Sequence, residues 1–156
     1  FISYPGKDLQ MNYDEKLFVG YKWYDKKKIE PLFHFGHGLS YTDFKYSNLH
    51  ISKSSENNFT ISIDITNTGN HSGYEISQCY ISFADRGNEE PIKKLQGFDK
   101  TFINSGETKK IEICLDSRNF STWDIETRQW QVKKGKFEIL IGSSSNDIRL
   151  KDHINL

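Results

Sequence analysis

The chain has 156 residues, and its 21 basic side chains balance 21 acidic ones. Such a neutral chain lacks the basic stripe that binding to a phosphate backbone requires, so nucleic acid is not expected as a partner. No apolar run approaches the roughly 20 residues that span a bilayer, so no membrane partner is expected either. The length allows one domain with a hydrophobic core, plus an additional segment.

The additional segment is residues 1–43, which are rich in aromatic side chains and alternate poorly between polar and apolar residues. The chain starts at Phe1 and its only methionine is Met11, so we expect a piece of a longer protein whose secretion signal, if it has one, lies outside this chain. The segment cannot bury so many aromatic side chains alone and would leave a large apolar surface. We therefore expect it to pack across the following domain or against a neighbouring one.

The stretch HFGHG, residues 34–38, admits two interpretations. Two histidines three residues apart could lie on one face of a helix and bind a metal. Gly36 and Gly38 disfavour a helix, however, and no cysteine or carboxylate cluster nearby offers a third ligand. We favour a tight turn before the first strand, which the glycines allow, with His37 hydrogen-bonded to the backbone at that corner. No metal or other cofactor is predicted.

A succession of short alternating segments follows the HFGHG stretch. In FTISIDI, for example, Phe59, Ile61, Ile63 and Ile65 share one face and the polar residues share the other, as in a half-buried strand. Turn residues such as those of NTGN separate the segments. About seven strands are predicted, in the segments FKYSNLHISK, FTISIDI, YEISQCYISF, KKLQGF, TKKIEICLD, RQWQVKK and KFEILIGSS. Strands at this spacing are typical of antiparallel sandwiches, so we predict an all-β sandwich over residues 44–156.

Strand alternation also predicts where the two cysteines point. Cys79 shares a face with Ile81 and Phe83, so it should point inward. Cys114 lies on the face opposite to its apolar neighbours in IEICLD, so it should point outward. Side chains that diverge in this way cannot form a disulfide, and two free thiols are predicted.

No complete active site can be assembled from the sequence. Acid–base hydrolysis needs two carboxyl groups at a defined separation, and the acidic pairs here are neighbours in sequence only, with no nucleophile or base beside them. Glu89 and Glu90, for example, fall in a loop. The GxSxG, phosphate-loop and CxxC motifs are absent as well. We predict that this chain alone is catalytically inactive.

Two other features are candidates for binding or modification. Trp123 and Trp130 bracket the stretch DIETRQ and could form a platform on which sugars stack. Because tryptophan is largely buried on average, we favour the interpretation that one covers the open end of the sandwich and the other fills its core. Three N-x-S/T sequences begin at Asn58, Asn70 and Asn119 and are candidate N-glycosylation sites, relevant if the protein is secreted by a eukaryote.

The stretch YDEKLFVGYKWYDKKKIEPLFHFGHGLSYTDFKYSNL resembles a junction in the family 3 glycoside hydrolases, the β-glucosidase family, where PLFPFGHGLSYTxF leads into a C-terminal fibronectin type III-like domain. Three further stretches resemble parts of that domain in the same order: NTGNHSGYEISQCYIS, PIKKLQGFDKTFINSGETKKIEICLD and WQVKKGKFEILIGSSSNDIRL. The resemblance extends from about Tyr13 onward. The chain departs from the family pattern at three positions: Lys16 stands where the family usually has Gly, Lys22 where it often has Arg, and His34 where Pro is common.

The resemblance implies a fibronectin type III-like (immunoglobulin-like) sandwich that stabilises catalytic domains upstream. In this family the two catalytic carboxylates lie in those upstream domains and cleave terminal β-D-glucosyl residues by a retaining mechanism, so none is assigned here. The implied partners are the upstream domains of the same chain and, through them, β-glucoside substrates. Residues 1–43 would be the exit from an upstream α/β domain. The side chains expected to pack against it are Phe18, Tyr21, Trp23, Tyr24, Phe33, Phe35 and His37. The alternative function is a carbohydrate-binding module that uses Trp123 and Trp130.

Overall fold

The computed structural model describes residue 6 and residues 8–156, and its strands account for most of the regular structure. The strands are β1 Phe44–Ser55, β2 Asn58–Asn67, β3 Gly73–Phe83, β4 Lys94–Ile103, β5 Thr108–Leu115, β6 Ser121–Asp124, β7 Gln129–Val132, β8 Lys136–Gly142 and β9 Ile148–Asn155. A three-stranded antiparallel sheet has the order β1-β2-β5, and a four-stranded one the order β4-β3-β8-β9. The predicted all-β antiparallel sandwich is confirmed.

The strand list differs from the prediction in three places. RQWQVKK does not join the sandwich, because its strand β7 pairs with β6 in a separate two-stranded hairpin. The prediction missed the strand β6 itself. The seventh strand of the sandwich is instead β9, which the prediction missed. As an edge strand β9 is largely polar, with Ile148, Leu150 and Ile154 as its apolar side chains, so its alternation is weak.

The core lies between the two sheets and follows the predicted faces. Phe59, Ile61, Ile63 and Ile65 are all at most 5% exposed and face the inner side of the four-stranded sheet. Cys79 is buried, and burial raises the pKa of its thiol to about 12. Cys114 is exposed on the outer face of β5, and both cysteines are free, as predicted. Burial of such aliphatic faces is the main stabilising term of the sandwich.

The helices are short and lie outside the sandwich. Helix α1, Tyr21–Lys27, lies in the N-terminal segment, and a single 3₁₀ turn, Ser117–Phe120, leads into β6. In the part of the chain that the structure describes, neither helix has the length and apolar character needed to cross a membrane.

The buried amide of Asn67 joins the end of the N-terminal segment to the sandwich. Its Nδ2 donates to the carbonyls of His71 and Ile103, at 2.7 and 3.0 Å. Its Oδ1 accepts from Thr42 Oγ1 at 2.6 Å and from Gly69 N at 3.1 Å. All four hydrogen-bonding positions of the side chain are therefore used at a site that is 0% exposed.

A second polar cluster closes the edge where β1 meets β9. Tyr46 Oη donates to Glu75 Oε1 at 2.7 Å, and the Arg149 guanidinium lies 4.6 Å from the centre of the Tyr46 ring. Arg149 also binds Asp147 at 2.8 Å and donates to the carbonyl of Phe44 at 3.0 Å. The side chains of three strands are thus linked across the two sheets.

Candidate interdomain surface

The N-terminal segment covers one end of the outer face of the four-stranded sheet. Along β3 the side chains that point away from the core are exposed at Tyr74 and Ile76 but buried at Gln78, Tyr80 and Ser82. Tyr80, which an uncovered outer face would leave in water, is 0% exposed. Burial on both faces of β3 therefore begins where the segment lies over it.

Helix α1 makes the central contact of this covered end. The ring of Tyr21 stacks on Phe35 with centroids 5.0 Å apart and meets the edge of Tyr80 at 5.9 Å. Its hydroxyl oxygen accepts a hydrogen bond from the amide of Leu95 at 2.8 Å, and burial raises the pKa of this phenol. Asp25, one turn later, forms a 2.6 Å ion pair with Lys93. The helix is thus fixed by polar contacts to Leu95 at the start of β4 and to Lys93, which precedes that strand.

Two of the aromatic side chains that another domain was expected to bury are therefore already packed in this chain. Phe18 is only 5% exposed, and Lys26 Nζ lies 3.5 Å from the centre of its ring. Tyr21 is half-buried with its hydroxyl bonded, as described above. Phe18 therefore has little surface left for another domain, and the packing of Tyr21 and the other aromatic side chains against such a domain stays a prediction. Trp23 is half-buried, with Lys27 Nζ 4.9 Å from its ring centre, and Tyr24 is 41% exposed.

The HFGHG stretch forms the tight turn that its glycines predict. Gly36 has φ +81°, and a Cβ at this position would collide with the side-chain amide of Gln78. The amide of Ser145, in the turn between β8 and β9, donates to the carbonyl of Phe35 at 2.8 Å and holds the turn on the sheet. The turn therefore needs glycine both for its backbone and for its close approach to β3.

The histidines of the stretch contact neighbours within the segment. The corner hydrogen bond is made by the backbone amide of His37, which donates to the carbonyl of His34 at 2.9 Å, while the His37 ring stacks on Phe33 at 5.4 Å. His34 Nε2 lies 3.0 Å from Glu30 Oε1. Among residue 6 and residues 8–156, no three His, Cys, Asp or Glu side chains are grouped as metal ligands would be.

The remaining apolar side chains of the segment face outward. Phe33 is 68% exposed and Phe35 49%, and beside them Leu32, Leu39 and Tyr41 are at least 90% exposed. An open concavity of about 620 Å³ lies between helix α1 and the turn. Its walls include the aromatic side chains of Tyr21, Tyr24, Phe33 and Phe35. Solvent-facing segments of monomeric proteins seldom carry so large an apolar surface.

The two tryptophans lie on the β6–β7 hairpin and not in the core. Trp123 and Trp130 are directly opposed across the hairpin, with centroids 5.5 Å apart and an interplanar angle of 62°. They are 46% and 45% exposed, so the expectation that one of them fills the core is wrong. The Arg118 guanidinium lies 3.5 Å from the centre of the Trp130 ring. Because the rings meet edge to face and one face of Trp130 is occupied, they do not form a flat platform for successive sugars.

The three candidate glycosylation sites differ in accessibility. Asn58 and Asn70 are exposed, at the start of β2 and in a surface bend. Asn119 is engaged at both ends of its amide: Nδ2 donates to the Gln96 carbonyl at 3.2 Å, and Oδ1 accepts from Asp116 N at 2.7 Å. Nδ2 also lies 3.1 Å from Gln96 Oε1, and a glycan would replace one of its two hydrogens, so at least one of the two contacts with Gln96 would be lost.

Glu89 and Glu90 each form an ion pair with a lysine and are not arranged as two catalytic carboxylates. Glu89 Oε2 binds Lys16 Nζ at 2.9 Å, and Glu90 Oε1 binds Lys133 Nζ. Lys16 itself has φ 51°, a left-handed conformation that costs a non-glycine residue about 1–2 kcal/mol. This is the position where the resemblance led us to expect glycine.

One feature of the surface was missed by sequence reasoning. Tyr74, Ile76, Phe98 and Phe102 form an exposed apolar row on the outer face of β3 and β4, with exposures of 40% to 67%. The sequence held a signal, because YEISQCYISF carries apolar residues on both faces. Such a strand is typical of a sheet that is covered on both sides.

Fold and surface together define a fibronectin type III-like β-sandwich with an aromatic N-terminal segment packed on its outer face. Residues 75–145 match the family model of the fibronectin type III-like domain. The chain therefore carries this domain, and its relatives show the larger proteins in which the domain occurs.

Those relatives are β-glucosidases, and they are much longer than this chain. Thermostable beta-glucosidase B of Acetivibrio thermocellus is 43% identical over 159 residues, which are 100% of this chain and 21% of the relative. Beta-glucosidase BoGH3A of Bacteroides ovatus is 39% identical, with 95% of this chain and 20% of the relative covered. The chain thus spans about a fifth of the length of these proteins.

Solved structures give the same correspondence. DesR, a β-glucosidase from Streptomyces venezuelae, superposes with a TM-score of 0.94 at 36% identity, over 99% of this chain and 20% of that one. The GH3 β-glucosidase of Bifidobacterium adolescentis gives 0.95 at 31% identity, over 100% and 23%. The chain belongs to the family 3 β-glucosidases as their fibronectin type III-like region, with the junction segment that precedes it.

Proposed function

We propose that this chain is the non-catalytic fibronectin type III-like module of a β-glucosidase-type hydrolase, and that it stabilises catalytic domains that precede it in a longer chain. The junction is residues 1–43 and the sandwich is residues 44–156. Of this junction, residues 1–5 and residue 7 lie outside the described part of the chain. The longer enzyme would hydrolyse terminal β-D-glucosyl residues with retention, and β-glucosides would be its substrates.

The observation that carries the proposal is the outward-facing apolar side of the junction. Leu32, Phe33, Leu39 and Tyr41 are 68% to 98% exposed, although burying one such side chain stabilises a protein by about 1.5–3 kcal/mol. A segment that faced only water would gain nothing from these side chains and would risk aggregation. A neighbouring domain of the same chain would bury them.

The way the junction is held supports the same conclusion. Gly36 and Phe35 are fixed to the sheet through Gln78 and Ser145, and Tyr21 is fixed to Leu95. The exposed side chains therefore sit on a preformed surface, and little conformational entropy would be lost when a domain docks there. The β-glucosidase relatives, about five times longer than this chain, include further chain that could dock.

The test is the substitution Phe33→Ser, made both in the longer chain and in the 156-residue chain. In the longer chain we expect a lower melting temperature and faster loss of aryl β-glucoside hydrolysis on heating, because a buried contact is lost. In the 156-residue chain the melting temperature should hardly change, because Phe33 is 68% exposed there.

The matched control is Ile125→Ser at the tip of the β6–β7 hairpin, where Ile125 is 83% exposed and distant from the junction in sequence. It should leave both chains unchanged. If Phe33→Ser also leaves the longer chain unchanged, the junction is not a docking surface and the proposal fails.

A further inference from the structure

We infer that the exposed row on β3 and β4 is a second docking surface for the same preceding catalytic domain. We call Tyr74, Ile76, Phe98 and Phe102 the outer row. This inference rests on the proposed function and extends it from the junction to the sandwich itself. It assigns the outer row one occupant, the domain that also covers the junction.

The outer row is unusual for a sheet face in water. Tyr74 lies opposite Phe102 in the strand register, and their rings meet edge to face with centroids 5.0 Å apart. Phe98 is 67% exposed and lies opposite Gln78, the residue at which cover by the junction begins. An antiparallel sheet with one solvated face normally alternates polar residues on that face, and this one does not.

The charged residue in the same sheet face does not make the outer row polar. Lys100 lies in the same face, opposite Ile76, and its Nζ is 4.8 Å from the centre of the Tyr74 ring. The lysine thus lies along an aromatic ring, as lysine stems often lie along apolar surface. A single cation over an aromatic ring is compatible with burial under another domain.

The row is continuous with the junction. Gly36 of the junction lies so close to Gln78 that a Cβ at residue 36 would collide with its side-chain amide. Phe98 lies opposite Gln78 in the strand register, on the same outer face of the sheet. The outer row therefore begins where the cover by the junction ends.

Area argues against a second copy of this chain that docks on the outer row alone. Four side chains that are each about half exposed offer about 400 Å² of surface, whereas a stable dimer needs about 800 Å² from each partner. The row is therefore too small to stand alone as an interface. As an extension of the junction surface it has the size that an interdomain contact needs.

Oxidative footprinting tests the occupant directly. Hydroxyl-radical labelling of Tyr74, Phe98 and Phe102 is compared between the longer chain at a concentration where it is monomeric and the 156-residue chain. We expect several-fold slower labelling of all three side chains in the longer chain. Ile125 on the hairpin should label equally in both chains. Equal labelling of the outer row in both chains would overturn the inference.

Substitution separates this inference from the proposed function. Phe98→Ser should lower the melting temperature of the longer chain and leave that of the 156-residue chain nearly unchanged. If Phe33→Ser destabilises the longer chain and Phe98→Ser does not, the junction docks and the outer row does not. In the labelling experiment, slower labelling of the outer row that appears only when the 156-residue chain is concentrated would identify a second copy as the occupant. Equal destabilisation of both chains by Phe98→Ser would show an internal role. Each of these three outcomes rejects the inference.

Discussion

The substitution Asn67→Asp tests the hydrogen-bonded link between the junction and the sandwich. It changes one nitrogen to oxygen at nearly constant shape. In the wild type, Asn67 Nδ2 donates to the carbonyls of His71 and Ile103. An aspartate oxygen in its place would face these two acceptors without a hydrogen to donate. The contacts of Oδ1 with Thr42 and Gly69 would remain. The perturbation is therefore confined to two hydrogen bonds and one charge.

The magnitude follows from those contacts. Each lost hydrogen bond contributes about 1 kcal/mol, and each carbonyl left buried without a donor costs about 1 kcal/mol or more. The total is about 4 kcal/mol before any cost of burying the carboxylate charge. For a domain of this size, 1 kcal/mol corresponds to about 2–4 °C in melting temperature, so we expect a decrease of about 10 °C.

The assay is thermal unfolding of the wild-type chain, Asn67→Asp and the control Asn70→Asp, followed by circular dichroism. Asn70 is exposed three residues away, so its substitution should change stability by less than about 0.5 kcal/mol. The deficit of Asn67→Asp should shrink on acidification, because a protonated carboxyl can donate to one of the two carbonyls. A melting temperature equal to that of Asn70→Asp would refute the orientation of the Asn67 amide and the link that depends on it.

Three further outcomes are expected. The purified 156-residue chain should not hydrolyse aryl β-glucosides; turnover abolished by substituting one of its own carboxylates would contradict the non-catalytic role. Calorimetric titration with soluble β-glucans should show no binding tighter than about 100 μM, equivalent to about −5.5 kcal/mol; tighter binding that is lost in Trp130→Ala would instead support a carbohydrate-binding module. Burial raises the pKa of the Glu75 carboxyl above its ordinary value of 4.5, because the folded state favours the protonated form. The protonated carboxyl therefore contributes to stability below pH 4.5, and this contribution is lost as the pH rises through the folded-state pKa. The melting temperature of the wild type relative to Glu75→Gln should therefore fall as the pH rises above about 4.5, and an unchanged difference would show that Glu75 is not the responsible group.

The N-terminal segment shows how one structural element can belong to two interfaces. Its inner side, through Tyr21, contacts Tyr80, which is 0% exposed. Its outer side, through Phe33 and Tyr41, remains exposed. Losing the inner contacts should therefore destabilise the chain by itself, whereas losing the outer contacts should matter only when a further domain is present.

The sequence by itself determined six of the seven sandwich strands and the direction of their side chains. Alternation in FTISIDI depends only on residues two positions apart, so it predicted the buried faces of Phe59 to Ile65 and the opposite directions of Cys79 and Cys114. The positive φ of Gly36 was likewise local, because it follows from the turn, whereas its close approach to Gln78 is a tertiary contact. The order of the motifs was sufficient to indicate the family.

Only the tertiary structure decided what covers each face. The contact of Tyr21 with Leu95 joins residues 74 apart in sequence, and the link from Thr42 to Asn67 joins residues 25 apart. The pairing of Trp123 with Trp130 depended on a hairpin that stands apart from the sandwich, so an average preference of tryptophan for burial gave the wrong expectation. Periodicity reports which side of a strand is apolar. It does not report which distant segment lies over that side, because this depends on how the whole chain folds back on itself.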